Sequence, residues 1–503
     1  MTGDIFDITA KRAALAPDDL AMEELATGRR VTYREMEDRA SRAAALLADY
    51  GVGEGDRVGI LCRNRIAFFE LLFACGKRGA IAVPLNWRMP AAEMAPVLAD
   101  CRPRLVLAGA EDWAVATEAV GPGVPLVGLD DEGPGGYEAA LAAARPRATR
   151  DRWPGGQTWY LLYTSGTTGT PKAVIYTYAM ALVNYVNIGQ AIDLRGSDRT
   201  LCFLPLFHTA GINLHALPTL MAGGQVLVLP GFDVDVMVEL LASGRLDTFF
   251  GVPAVYQQIS LHPRFAEVDL SSLRHWGCGG APLTDALVQR FFDRGVRVCN
   301  GMGMTETGPT AFLVDPGHAV RKIGSVGKPQ LLVGVRIVDG QGRDVPDGET
   351  GELLFSGPGI TPGYWNRPDA TAAAFTPDGW LRTGDLARRD ADGYYYIVGR
   401  LKEMFISGGE NVYPAEVENM LTQHPDVLEA AVVGIPDPKW GEVGRAFVKL
   451  RPGVRDPGPE VLAAWCRTRL AAYKVPKSFV IIDDFPRTAA GKVQKHRLPK
   501  DQT

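Results

Sequence analysis

Along the first 400 residues, short apolar runs alternate with longer stretches whose apolar positions recur at helical spacing. Asp56-Arg57-Val58-Gly59-Ile60-Leu61 reads as a strand, residues 68–76 as a helix, and Ala80-Ile81-Ala82-Val83-Pro84 as the next strand. Leu105-Val106-Leu107 and Val226-Leu227-Val228-Leu229 add two more buried strands. Strand, helix, strand in repetition predicts a layered α/β architecture with largely parallel sheets. The Pro- and Gly-rich stretch 122–156 reads as a surface connection ahead of a buried strand.

Beyond Gly334 the texture changes. Val335-Arg336-Ile337-Val338, Gly351-Glu352-Leu353-Leu354-Phe355 and Gly393-Tyr394-Tyr395-Tyr396-Ile397-Val398 are short runs separated by Asp/Gly turns, as in a small antiparallel sheet or barrel. After Arg400 the pattern predicts a helix over 415–423, strands over 430–434 and 446–450, and a helix over 460–472. About 100 residues suffice for an independent unit. The expectation is a large domain over 1–400 and a small α+β domain over 401–503.

Length agrees with this division, since 503 residues exceed a typical single domain. A net charge of −5, with scattered basic residues, disfavours nucleic acid or an anionic membrane as partner. The seven cysteines form no C-x-x-C pair and read as reduced thiols. The seven histidines form no H-x-x-x-H pair, which disfavours a structural metal. Met1-Thr2-Gly3-Asp4 starts no apolar signal region. The most apolar stretch, 173–188, is interrupted by Thr177, Asn184 and Asn187 and falls short of a membrane span. These readings make the cytoplasm the default location and leave peripheral membrane association and a homodimer open.

Chemistry enters with Tyr163-Thr164-Ser165-Gly166-Thr167-Thr168-Gly169-Thr170-Pro171-Lys172, which follows the apolar run Trp159-Tyr160-Leu161-Leu162. Hydroxyls and backbone amides there offer donors to a polyphosphate, the glycines permit close approach, and the lysine balances charge. The spacing is not that of a Walker A loop, and Ala173 stands where Ser or Thr would hold Mg²⁺.

This decapeptide resembles the phosphate loop of the adenylate-forming superfamily, which includes acyl-CoA synthetases, luciferases and nonribosomal adenylation domains. The other motifs of that superfamily have counterparts in order along nearly the whole chain. They are Gly277-Cys278-Gly279-Gly280-Ala281-Pro282, Asn300-Gly301-Met302-Gly303-Met304-Thr305-Glu306-Thr307 and Leu381-Arg382-Thr383-Gly384-Asp385. Gly399-Arg400-Leu401-Lys402 with Ser407-Gly408-Gly409-Glu410-Asn411-Val412-Tyr413-Pro414, and finally Pro486-Arg487-Thr488-Ala489-Ala490-Gly491-Lys492, complete the set.

The resemblance implies an ATP- and Mg²⁺-dependent ligase that forms an acyl-adenylate and passes the acyl group to coenzyme A. It implies a nucleotide site at Thr164, Ser165, Gly166, Thr167, Thr168, Gly169, Lys172, Gly279, Gly280, Ala281, Asn300, Gly301, Met302 and Thr305. Asp385 would accept from the ribose hydroxyls and Arg400 would touch the ribose from the hinge side. Attack of a carboxylate on the α-phosphorus brings two anions together, so positive charge must be supplied as charge develops. Lys492 on a mobile C-terminal domain fits that role, Glu306 fits a Mg²⁺ ligand, and Thr305 fits a donor to the α-phosphate. Lys402 stands at the hinge, and Ser407, Gly408 and Gly409 on the CoA path. Met302 departs from the tyrosine common in relatives, and Ala173 from their glycine.

Phe207, His208, Val255, Trp276, Cys278 and Met304 are the expected acyl pocket, with His208 as a gate or orienting donor. These side chains are mostly apolar, so an unpaired second carboxylate on the substrate is disfavoured. Within the superfamily the residues resemble both fatty acyl-CoA synthetases and feruloyl-type ligases. The substrate expectation is therefore an apolar monocarboxylic acid, aliphatic or aryl. Transfer to a carrier protein, luciferase-like chemistry and a catalytically idle nucleotide binder stand as the alternatives.

Overall fold

The computed structural model describes residues 3–130, 136–164, 171–281, 283–487 and 493–499. Two large sheets realise the α/β expectation. The first runs in the spatial order Lys172–Thr177, Thr158–Thr164, Ile81–Pro84, Arg57–Leu61, Leu105–Ala108, Leu126–Gly128. It is parallel except where Thr158–Thr164 turns back into Lys172–Thr177. The second has a parallel centre of Val298–Met302, His275–Cys278, Thr248–Gly251, Arg199–Cys202, Gln225–Val228 and Leu20–Glu24, with antiparallel strands at both edges. Parallel strands covered on both faces read as continuous apolar runs, as these do.

The main core lies between the two sheets. Trp159, Tyr160 and Tyr176 of one sheet share a buried cluster with Val226 and Val228 of the other and with Phe69, Leu72, Met180 and Leu217 from intervening helices. Two long-range side-chain hydrogen bonds pair polar groups inside this layer. The Tyr160 hydroxyl donates to Asn213 Oδ1 at 2.7 Å, and Asn64 Nδ2 donates to the Leu204 carbonyl at 2.9 Å.

The stretch 122–156 is not merely a connection, for it contains strands Leu126–Gly128 and Arg152–Trp153 and helix Tyr137–Ala143. Each of these short elements is anchored by a buried side chain, Val127, Trp153 or Tyr137, that the surrounding Gly and Pro obscure in sequence. The apolar stretch 173–188 is a strand, Lys172–Thr177, running into a helix, Tyr178–Ile192. Thr177 ends the strand and caps the helix, its Oγ1 accepting from the Met180 amide at 3.3 Å. No helix among the described residues is long and apolar enough to cross a membrane.

Gly334–Val338, Gly351–Ser356, Leu381–Arg389 and Tyr395–Arg400 form the expected antiparallel sheet. Its third strand holds the Arg-Thr-Gly-Asp motif, which sequence pattern alone did not mark as a strand. A last sheet orders Glu410–Val412, Phe405–Ser407, Gly441–Leu450 and Val427–Asp437, with Ser478–Ile481 added to Gly441–Leu450. Its helices are Pro414–Thr422 and Pro459–Arg467, and Val417, Leu421, Val432, Leu462 and Cys466 give it a core of its own. The second helix stops before the expected residue 472, and Ala472–Lys474 is a separate 3₁₀ turn.

Candidate active site

Ligands of open α/β sheets bind beyond the carboxyl ends of the parallel strands. In the larger sheet those ends are Cys202, Gly251, Cys278 and Met302, on neighbouring strands. The segments leaving them carry Phe207 and His208, Val255, Gly279 to Ala281, and Met304 to Glu306.

Backbone approach is close here. A Cβ on Gly279 would lie 2.8 Å from the Gly301 carbonyl, and one on Gly303 would lie 1.5 Å from the Pro309 carbonyl. Only glycine lets the 303–308 loop fold back so tightly. Asn300 Nδ2 donates to the Ser325 carbonyl at 2.9 Å, while its buried Oδ1 has no partner among the described residues. Met302 pairs with Phe312 across the strands, and Met302 and Met304 both pack on the core of the four-stranded sheet.

Thr305 to Thr307 form a 3₁₀ turn whose start is fixed by the Met304 amide donating to Thr307 Oγ1 at 2.8 Å. The Tyr176 hydroxyl bridges to the Thr305 carbonyl and to Thr209 Oγ1, each at 2.5 Å. Glu306 is buried, and its Oε1 accepts from the Tyr364 hydroxyl at 2.8 Å. Among the described residues no cationic side chain forms an ion pair with it. Tyr364 is placed by backbone stitching: the Ile175 amide donates to the Gly363 carbonyl at 3.1 Å and the Trp365 amide to the Ala173 carbonyl at 2.9 Å. Segment 363–365 thereby rides on the strand that starts at Lys172, whose Nζ lies 5.7 Å from the Tyr364 ring centroid. Burial, and then the Glu306 carboxylate, push the Tyr364 hydroxyl well above its ordinary pKa, so it remains a proton donor.

Thr164 and Lys172 face each other across the hairpin, with Thr164 Oγ1 donating to the Lys172 carbonyl at 3.2 Å. Ser165, Gly166, Thr167, Thr168 and Gly169 between them lie outside the described residues, as does Lys492. Asp385 is buried and pairs with Arg400, Nε to Oδ1 3.1 Å, directly across the ladder of the four-stranded sheet. Lys402 is exposed. Gly408 and Gly409, with φ +61° and +89°, make the two-residue turn between strands Phe405–Ser407 and Glu410–Val412. Ser407 is buried at the base of that hairpin.

The six expected acyl-pocket residues do not converge. Phe207 packs edge-on to Trp87 with centroids 5.9 Å apart, and its ring lies 4.5 Å from that of His208. Val255, Trp276 and Cys278 instead belong to the core on the helical side of the sheet, where Trp276 meets Phe249, Tyr256 and Phe291. Met304 lies with Met302. Strand alternation is the cause: Trp276 and Cys278 face one way, His275 and Gly277 the other. A Cβ on Gly277 would lie 2.8 Å from Phe250 Cδ2, and Phe250 packs with Ile188, Ile192 and Leu214. Phe250, Leu214, Tyr176, Thr209 and Tyr364 were all missed in sequence. Helical or strand spacing marks the first four only as core, and Tyr364 lies in an irregular segment with no periodicity to read.

This arrangement, with a buried carboxylate, a threonine turn and paired glycine approaches beyond parallel strands, is that of a nucleotide-dependent enzyme. The AMP-binding enzyme model matches residues 9–365, and the AMP-binding enzyme C-terminal domain model matches residues 416–492. The chain belongs to the AMP-binding enzyme family, and within it to the acid–CoA ligases. It is 43% identical over 491 residues to a feruloyl-CoA synthase of Amycolatopsis, covering 96% of each chain. It is 40% identical to an indoleacetate–CoA ligase of Aromatoleum aromaticum, covering 93% of this chain and 92% of that one. The ATP-bound crystal structure of MatB from Rhodopseudomonas palustris superposes with a TM-score of 0.90 at 31% identity, covering 98% of both chains. ATP is the nucleotide this family uses.

Proposed function

We propose that the chain activates an aromatic monocarboxylic acid as its acyl-adenylate and transfers the acyl group to coenzyme A. The observation that carries the adenylation half is Glu306. A buried carboxylate with one neutral donor and no ion pair is costly unless a cation joins it. Among the described residues no three acidic, His or Cys side chains gather to hold a metal alone. Glu306 with the substrate's phosphates suits Mg²⁺, which prefers few protein oxygens; when bound, the ion screens charge on the phosphates.

In this reading Asn300 Oδ1 awaits the adenine amino group and Asp385 the ribose hydroxyls. Thr305, held by Tyr176, faces the α-phosphate, and Lys492 joins it there. A carboxylate oxygen of the acid bonds to the α-phosphorus as the bond to pyrophosphate breaks. The CoA thiolate then attacks the acyl carbon and AMP leaves. We place the division between the large and small units near residue 401 and the pivot at Lys402. Rotation about it would exchange Lys492 for the Gly408-Gly409 hairpin on the CoA path. Proline at Lys402 would fix φ and impair the thioester step more than adenylation; equal effects on both half-reactions, followed by quench-flow, place the pivot elsewhere.

The aromatic assignment draws support from the two relatives named above, both acting on aryl acids by name. Acid-dependent exchange of pyrophosphate into ATP, run across aryl and aliphatic acids with and without CoA, tests the whole reading. It predicts exchange without CoA, thioester only with CoA, and the best kcat/KM among aryl acids. ADP and phosphate as products end the adenylate mechanism, and a preference for long aliphatic acids ends the aromatic assignment.

A further inference from the structure

We infer that His215 and His275 form a hydrogen-bonding floor to the acyl site, selecting acids with a ring hydroxyl or ring N–H far from the carboxylate. This rests on the aromatic reading above and adds a residue-level basis for it.

The placement comes from the sheet. Thr248, Phe250, His275 and Gly277 lie on the face opposite Trp276, on adjacent parallel strands. A Cβ at Gly277 would sit 3.3 Å from His275 Nε2 and 2.8 Å from Phe250 Cδ2. Glycine therefore lets the His275 nitrogen and the Phe250 ring close over the strand here, one residue before it ends at Cys278 and its Gly279-Gly280 loop. His215 approaches from the other side, edge-on to Phe250 at 6.0 Å and 6.5 Å from the His275 ring. A small cavity runs along this face, bounded by Leu204, Ala210, Leu214, His215 and Phe250.

The chain path ties the cavity to the reacting end. Thr209 bonds to Tyr176, which bonds to the Thr305 carbonyl. From Thr209 a π-helical turn, Ala210–Leu214, leads straight to His215. Such turns are rare and concentrate at functional sites.

The two imidazoles are unlike ordinary core residues. His215 Nδ1 meets Thr200 Oγ1 at 3.2 Å, and its other nitrogen has no hydrogen bond among the described residues. His275 forms no side-chain hydrogen bond among the described residues, and of the polar atoms on this face Thr248 Oγ1 is fully buried without a partner. Both rings are held neutral by burial, so each keeps one nitrogen able to accept and one able to donate. Leaving buried polar atoms unpaired costs stability that a matching ligand group restores. A site built to bond a substrate hydroxyl rejects the analogue that lacks it.

The test compares kcat/KM for 4-hydroxycinnamate and its near-isostere 4-methylcinnamate in the wild type and in His215→Phe, His275→Phe and His275→Gln. The wild type should favour the hydroxy acid by roughly 10- to 100-fold. Either phenylalanine variant should bring that ratio toward one, and His275→Gln should restore part of it. Thermal melts report whether each variant folds, and the wild-type ratio decides even if none does. A wild-type ratio near one overturns the inference, as does an unchanged ratio in a folded phenylalanine variant. Failure of the aromatic reading looks different: both cinnamates are then poor beside aliphatic acids.

Discussion

The strand His275–Cys278 puts two kinds of protein back to back. On one side Trp276 and Cys278 pack among Phe249, Tyr256 and Phe291, a dense aromatic core facing the helices. On the other, His275 and Gly277 share a face with Phe250, against which His215 packs beside a small cavity. Four residues of backbone thus divide their labour by alternation alone, one face for cohesion and one left imperfectly packed and imperfectly hydrogen-bonded. Stability and specificity are separable here. Substitutions on the first face should cost folding, and those on the second should cost discrimination.

Trp276→Ala gives the largest effect expected on the cohesive face, about 3–5 kcal/mol of stability from truncating a buried tryptophan. Urea denaturation measures it, and the acid preference of whatever enzyme stays folded should match the wild type. A shifted acid profile at near-normal stability would move Trp276 back into the pocket and undo the contrast.

Glu306→Gln acts beyond the strand ends without burdening the core. Adenylation should fall by about 10²–10³, by analogy with the loss of one preorganised electrostatic group. Melting temperature should hold or rise, because a buried carboxylate with no ion pair among the described residues is removed. Pyrophosphate exchange and calorimetry report the two sides, and undiminished exchange rules out the role given to this residue.

Tyr364→Phe removes the one neutral donor to Glu306 seen among the described residues. A hydrogen bond to a charged group is worth about 1.5–3 kcal/mol. We expect that loss as a raised Mg²⁺ requirement for pyrophosphate exchange, with CoA dependence unaltered. A Mg²⁺ titration that overlays the wild type would leave Tyr364 as packing only.

The smallest effect, per unit of pH, comes from the histidine face. Burial lowers His215 to about 3 and, with Arg274 adding to it, His275 to about 4. Unfolded, both return to about 6.5. The unfolded chain therefore binds the extra protons at intermediate pH, and stability drops as pH falls from about 6.5 toward 4. The slope is about 1.4 kcal/mol per pH unit for each histidine, and above pH 7 neither contributes. Urea midpoints at several pH values should show this, with a shallower slope in His275→Gln. An equal slope in the variant would mean that the acid sensitivity belongs to other groups.

Much of the fold was legible because its signals are local. Parallel strands buried on both faces read as unbroken apolar runs. The site was legible in part. The Asp385 and Arg400 motifs, fifteen residues apart in sequence, are brought into register across one ladder, and Thr305 and Glu306 share one turn. The acyl positions were the hardest to read. Val255 and Trp276 were grouped with Phe207 by chemistry, yet the sheet separates them by face, which an apolar residue's identity does not reveal.

By itself the sequence determined the layered α/β class, the family through its ordered motifs, and the obligatory glycines, because each depends on residue type and near-neighbour spacing. Tertiary structure alone decided which groups meet. Tyr364 reaches Glu306 only because segment 363–365 is stitched onto the strand beginning at Lys172. His215 and His275 meet only because a π-helical turn ends where a parallel strand begins. Contacts between residues 58 or 60 positions apart cost loop entropy that no local preference encodes, and only the packed sheets around them offset that cost.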